Sequence, residues 1–202
     1  GKALEILNYH PYKWPGHGLG DNVNSYQFVE MDYMKANEYP ILLKDPSDFS
    51  FRVIVPRAIG SAEALRNFPP LSAIMGMPLI MAYPFTNPEI RAAFQSLIEA
   101  GKEMEESQKH MAAVNKEALE MGFPAAGGGL AVAPFDVIAD FLRGTQGAIL
   151  DMYRQPEIML EAIDMITRWT IERTINNVNA SGGFMVSFPL HKGDDTFMSN
   201  KQ

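Results

Sequence analysis

Cysteine is absent from all 202 residues. Disulfides, thiolate nucleophiles and thiolate metal sites are therefore excluded within this chain. The absence fits a reducing compartment, and the expected location is cytoplasmic. Basic charge is scarce as well. Lys and Arg number 17 against 24 Asp and Glu, a formal charge of −7, and no basic run is longer than two residues. Nucleic acid and anionic membrane surfaces both need concentrated positive charge, so neither is expected as a partner. No apolar run reaches the roughly 18 residues of a spanning helix. The N-terminus also lacks the apolar stretch of a secretory signal, because charged and polar residues interrupt it at once. What remains is an ordinary globular balance, with 47% hydrophobic and 20% charged residues, which does not by itself decide the fold; the α/β reading comes from the order of the elements below. The length is enough for one domain over 1–202 with a sizeable core. The 13 methionines are read mainly as adaptable core filler.

Hydrophobic spacing and turn residues divide the chain. The apolar run Ala3–Tyr9 reads as a strand. His10–Asn24 is a loop rich in Pro, Gly and aromatics. Asn37–Lys44 has helical spacing and stops before Asp45-Pro46. From 57 to 86 the chain is rich in Pro, Gly and Met, with Ser61–Phe68 its best helix candidate, and reads as a lid or subdomain. Asn87 with Pro88 and Glu89 is a helix start. Gly101 is read as breaking the helix that begins there, and a second helix ends at Gly122. Phe123–Gly128 is a strand candidate, Pro134 opens a helix to about Arg143, and a long helix runs from Pro156 to about Ala180. Phe184–Leu190 is the most strand-like segment. Strand, helix and strand around glycine turns predict a βαβ unit with parallel strands. Ligands in such sheets meet the loops at the carboxyl ends of the strands.

Two loops therefore draw attention. In the first, Gly127-Gly128-Gly129 lets a ligand approach the backbone ahead of a helix N-terminus, although no P-loop or dinucleotide fingerprint follows. A plain strand-to-helix turn explains it equally well. Asp136, Asp140 and Arg143 share one face of the next helix, as active groups or as an ordinary surface pair. In the second loop, His191, Lys192, Asp194 and Asp195 follow an apolar strand. That cluster suits proton transfer, an acidic substrate or a cation, against a solvated loop. His17, with Trp14, sits in an aromatic turn that either lines a substrate or packs on itself. No metal-ligand spacing is recognisable.

At these residues the chain resembles the uroporphyrinogen decarboxylase family. Ala133-Pro134-Phe135-Asp136-Val137-Ile138-Ala139-Asp140-Phe141-Leu142-Arg143-Gly144 is similar to that family's Gly-x-Pro-(Phe/Trp)-Thr loop, helix and closing glycine. Tyr153-Arg154-Gln155-Pro156-Glu157 is similar to its Y-x-x-P-E segment, and 184–198 to its next strand and acidic loop. Tyr39–Phe49 (YPILLKDPSDF) resembles a segment of the corrinoid-dependent methyltransferase branch.

The resemblance implies a helix-rich, partial (β/α)₈ TIM barrel with a parallel sheet. A full barrel takes roughly 250 residues. The family's N-terminal R-Q-A-G-R motif is missing, as is the C-terminal part with the methyltransferases' His/Cys zinc ligands, so the chain is expected to be an internal segment. It holds no cofactor of its own in this reading; zinc belongs to the full-length protein. Asp140 stands where decarboxylases carry a tyrosine, and Leu190 where they carry a serine. The expected activity is accordingly methyl transfer involving a methylated substrate or a corrinoid protein. The alternatives are uroporphyrinogen III decarboxylation and a non-catalytic docking module. The implied catalytic residues are His191, Lys192, Asp194 and Asp140. Gly128, Gly129, Pro134, Phe135, Asp136, Arg143, Trp14 and His17 face a small-molecule substrate. Self-association is expected to cover the open sheet edge.

Overall fold

Sequence-local rules account for most of the elements in this computed structural model, which describes residues 1–123, 128–181, 183 and 185–192. In chain order these are α1 (Lys2–Leu7), β1 (Tyr12–Pro15), β2 (Gly18–Leu19), β3 (Gln27–Phe28), α2 (Tyr39–Lys44), α3 (Pro46–Phe49), α4 (Val55–Ala58), α5 (Pro88–Glu120), β4 (Gly128–Leu130), α6 (Pro134–Asp136), α7 (Gly144–Arg154), α8 (Pro156–Ser181) and β5 (Met185–Ser187). Wider π turns cover Ser50–Ile54 and Val137–Leu142, and 3-10 helices cover Ala36–Glu38, Gly60–Asn67, Leu71–Ile74 and Pro78–Thr86. The protein is a helix-rich α/β chain. Its described strands form one sheet of three and one of two. No described helix is long and apolar enough to cross a membrane.

The chain divides into two compact units, 1–29 with 45–112, and 30–44 with 113–202. In the first, Ala62, Leu65 and Ala93 are fully buried and are packed by Phe51, Val55, Ile59, Phe94 and Leu97. The rings of Phe51, Phe68, Phe85 and Phe94 form a continuous cluster, with centroids 4.9–6.3 Å apart. Asn87 starts α5 as expected, its side chain accepting the Glu89 N–H at 2.8 Å. Asp45 does the same for α3, accepting from the Asp48 N–H at 2.9 Å.

Two expectations need correction. The first run is helix α1, not a strand. Ala, Leu and Glu are good helix formers, a short apolar run carries no decisive period, and Asn8 closes the helix in the left-handed region at φ 46°. Gly101 does not interrupt α5. It has open space around it, and the cost of one glycine, about 1 kcal/mol, does not stop a long helix. That helix ends instead at Gly122 (φ 88°), where Phe123 N–H reaches the Ala118 carbonyl at 2.9 Å. Of the candidate strand Phe123–Gly128, Gly128 lies in β4, and 124–127 lie outside the described residues.

In the second unit β4 and β5 are parallel, with Gly128 opposite Met185, Gly129 opposite Val186 and Leu130 opposite Ser187. The predicted strand–helix–strand order is therefore present. Helix α8 packs on this pair, as it does on α2, α6 and α7, and its buried residues are Met159, Ala162, Ile166, Thr170 and Thr174. A Cβ at Gly129 would sit 3.2 Å from the Val178 methyl and 3.3 Å from that of Thr174. Glycine is what lets helix and strand approach so closely. Of the triple-glycine run, Gly129 thus serves packing of strand against helix; Gly128 stands beside it in β4, and Gly127 lies outside the described residues.

Candidate functional site

Both predicted loops leave the carboxyl ends of β4 and β5, and their side chains meet. After β4, Ala133 and Pro134 start α6 with Pro134 at its first position, and Val137 N–H bonds the Ala133 carbonyl at 2.9 Å. The backbone then widens into the π turn, where Arg143 N–H reaches back five residues to Ile138 at 2.7 Å. The widening changes which side chains share a face. Asp136 and Asp140 turn toward the loop after β5, while Arg143 turns elsewhere.

The buried Asp136 carboxylate accepts the backbone N–H groups of His191 (2.8 Å) and Lys192 (2.9 Å), one on each oxygen. Asp140, also buried, takes the Lys192 ammonium at 2.6 Å and faces His191 Nδ1 at 3.0 Å. Lys192 is itself almost fully buried. It makes a second ion pair with Glu30 and donates to the Ala139 carbonyl at 3.2 Å. Burial alone would lower the Lys192 pKa, but Asp140 and Glu30 outweigh it and hold the ammonium above its ordinary range. Burial likewise works against ionised Glu30, yet Lys192 and Thr145 bring its carboxyl below the ordinary glutamate value. Thr145 donates its N–H (2.9 Å) and hydroxyl (2.6 Å) to Glu30, so this carboxylate also stabilises the N-terminus of α7. His191 differs from the others. Its side chain is 67% exposed, and in the tautomer whose Nδ1–H donates to Asp140 the Nε2 is the ring nitrogen left to accept a hydrogen bond.

A second network adjoins this one through Arg143. Its guanidinium bonds both oxygens of the buried Asp151 (2.6 and 3.3 Å), the Met34 carbonyl at 2.7 Å, and Asp32. The Tyr39 hydroxyl donates to Asp151 at 3.0 Å, and Gln155 does so at the same distance. Burial opposes the Arg143 charge, but Asp151 and Asp32 raise its pKa overall. A Cβ at Gly147 would lie 3.0 Å from the guanidinium carbon, so glycine there makes room for it. Glu30, Asp32, Arg143 and Gln146 line one surface cleft of about 360 Å³. Phe135 and Ala139 line a narrow crevice beside Lys192.

Of the expected site residues, His191, Lys192, Asp136, Asp140 and Phe135 come together, and Pro134 opens the helix that carries Phe135 and Asp136. Arg143 is nearby but does not pair with Asp140, and neither belongs to a surface pair, because both are buried. Trp14 and His17 belong to the first unit. There they stack on each other with centroids 4.7 Å apart, and His17 Nε2 lies 3.1 Å from Glu5, so the turn packs on its own aromatics. Asp194 and Asp195 lie outside the described residues. Sequence reasoning missed Glu30, Asp32, Tyr39 and Asp151. Among the described residues no group of three His, Asp or Glu side chains could hold a metal ion. No family model, curated protein or solved structure matches the chain.

Proposed function

We propose that this chain is a segment of a uroporphyrinogen decarboxylase-like (β/α)₈ enzyme, nearer the corrinoid-dependent methyltransferase branch. In this reading His191 and Asp140 form its proton-transfer pair. The barrel part rests on the parallel pair β4 and β5, linked through α6, α7 and α8. It rests also on β5 itself, whose Met185 and Val186 are exposed together with Ser187. Parallel strands of this composition are normally covered on both faces, as they are when further strands and helices complete the sheet.

The observation that carries the choice of chemistry is the double neutralisation of both site cations. A porphyrinogen decarboxylase needs positive groups free to grip the substrate's carboxylates. Lys192 is already held by Asp140 and Glu30, and Arg143 by Asp151 and Asp32. Recruiting either one would leave a buried carboxylate without its counter-ion, a change worth about 3–5 kcal/mol. The exposed group is His191, a proton carrier. Methyl transfer to an acceptor that loses a proton asks for such a group. As the acceptor's lone pair takes the methyl, the donor departs with the electron pair of its broken bond to that methyl, His191 Nε2 takes the acceptor's proton, and Asp140 orients the ring. Lys192 fixes Asp140 in position, and Asp136 fixes the loop.

The test is methyl transfer from methylcobalamin to a thiol, assayed in the protein expressed from its whole reading frame. His191→Gln should lower kcat by about 100-fold or more with little change in KM. Turnover of uroporphyrinogen III by the same protein would overturn the reading.

A further inference from the structure

Residues 67–88 (NFPPLSAIMGMPLIMAYPFTNP) contain no Asp, Glu, Lys, Arg or His, in a chain whose formal charge is −7. Their two ends are clasped. Phe68 is buried in the first unit, and its ring meets Phe85 edge-on with centroids 6.0 Å apart. Between them, the 3-10 helices Leu71–Ile74 and Pro78–Thr86 and the turn that joins them leave Leu71, Met75, Met77, Leu79, Ile80 and Tyr83 in solvent. Met75 is 85% exposed, Leu79 81% and Tyr83 75%. This is an apolar arm anchored by its own aromatic base.

Scattered exposed hydrophobes are ordinary, but a contiguous patch of this size marks an interaction site. With roughly 200 Å² for a large, fully exposed side chain, the six present on the order of 700 Å² of apolar surface. A stable interface buries about 800 Å² on each partner. We propose that this arm is the contact through which two copies of the chain associate. A two-fold contact sets the same patch against itself. On an acidic protein, most such contacts bring like charges together, whereas this arm meets its copy with no charge at all. Tyr83 and the methionines supply the side chains enriched at interface cores. A membrane surface fits less well, because the arm offers no Lys or Arg to headgroups.

The experiment is sedimentation equilibrium on the full chain from 1 to 100 µM (concentrations on the order of typical dimer constants), with Met75→Glu/Leu79→Glu and, as a control, Leu160→Glu. Leu160 is an exposed position of α8 in the second unit. The wild type and the control should sediment as two 22.5 kDa chains, and the double variant as one, its dissociation constant raised at least about 100-fold. Far-UV circular dichroism should be the same for all three, since both substituted side chains are exposed. A monomeric wild type at 100 µM, a double variant that still dimerises, or an open-ended series of oligomers would each overturn the proposal. Flotation of a monomeric wild type with neutral phosphatidylcholine vesicles would assign the arm to lipid instead.

Discussion

Asp136 and His191 are 55 positions apart, yet an Asp136 oxygen accepts the His191 backbone N–H at 2.8 Å while its other oxygen takes that of Lys192. One buried carboxylate thus fastens the loop after β5 to the helix after β4. Asp136→Ala leaves two backbone donors without that acceptor. The expected loss is about 2–4 kcal/mol of stability, read as a lower denaturant midpoint. Amide exchange at His191 and Lys192 should accelerate more than exchange in α8. Equal acceleration throughout would mean that Asp136 acts on global stability alone.

The Arg143–Asp151 pair is buried on both sides. Removing one member, in Arg143→Met or Asp151→Leu, should cost about 3–5 kcal/mol, and removing both should cost clearly less than the two losses added together. Arg143→Lys should not rescue, because an ammonium cannot make the forked contact to Asp151 while also reaching Asp32 and the Met34 carbonyl. Additive losses in the double-mutant cycle would count against the pairing.

At Gly129 the prediction concerns distance rather than charge. Gly129→Ala places a methyl 3.2–3.3 Å from methyls of Val178 and Thr174. It should cost about 1–3 kcal/mol, and Thr174→Ser in the same chain should restore part of that. If no restoration followed in thermal melts, the close approach of α8 would not be the cause.

Stability should depend on pH at both ends through Glu30 and Lys192. The Glu30 carboxyl lies below its ordinary 4.5, so its contribution is present above that value and is lost as pH falls through the lowered one. The Lys192 ammonium lies above its ordinary 10.5, so its contribution is present below that value and is lost as pH rises through the raised one. Between these limits the pair contributes a constant amount. Glu30→Gln should therefore show a steady stability deficit at neutral pH that narrows in acid. Urea midpoints measured from pH 7 down to pH 3 would show it, and an unchanged gap would remove Glu30 from the account.

Local signals made several features readable in the sequence. The Asn87-Pro88 start of α5, the glycine stop at Gly122, the long helix from Pro156 and the β4–β5 crossover all rest on spacing and turn chemistry within a few residues. The meeting of Asp136 and Asp140 with His191 and Lys192 followed from where parallel strands end. The partners of the cations did not follow. Glu30 reaches Lys192 across 162 positions, and Asp32 reaches Arg143 across 111; no local pattern marks such pairs. The shared face of Asp136, Asp140 and Arg143 assumed a regular helix, and with the π turn at Val137–Leu142 Arg143 pairs with Asp151 and Asp32 while Asp140 pairs with Lys192 and His191. Helix α1 was hidden because six residues are too few for a period to declare itself.

The hydrogen bond from Tyr39 to Asp151 has an optical consequence. Burial first, and the neighbouring Asp151 carboxylate second, raise the Tyr39 phenol far above its ordinary range. Of the seven tyrosines, this one should stay silent in an alkaline absorbance titration until the second unit unfolds. Its late step in the tyrosinate band then gives an intrinsic readout of that unit's integrity, with no label attached.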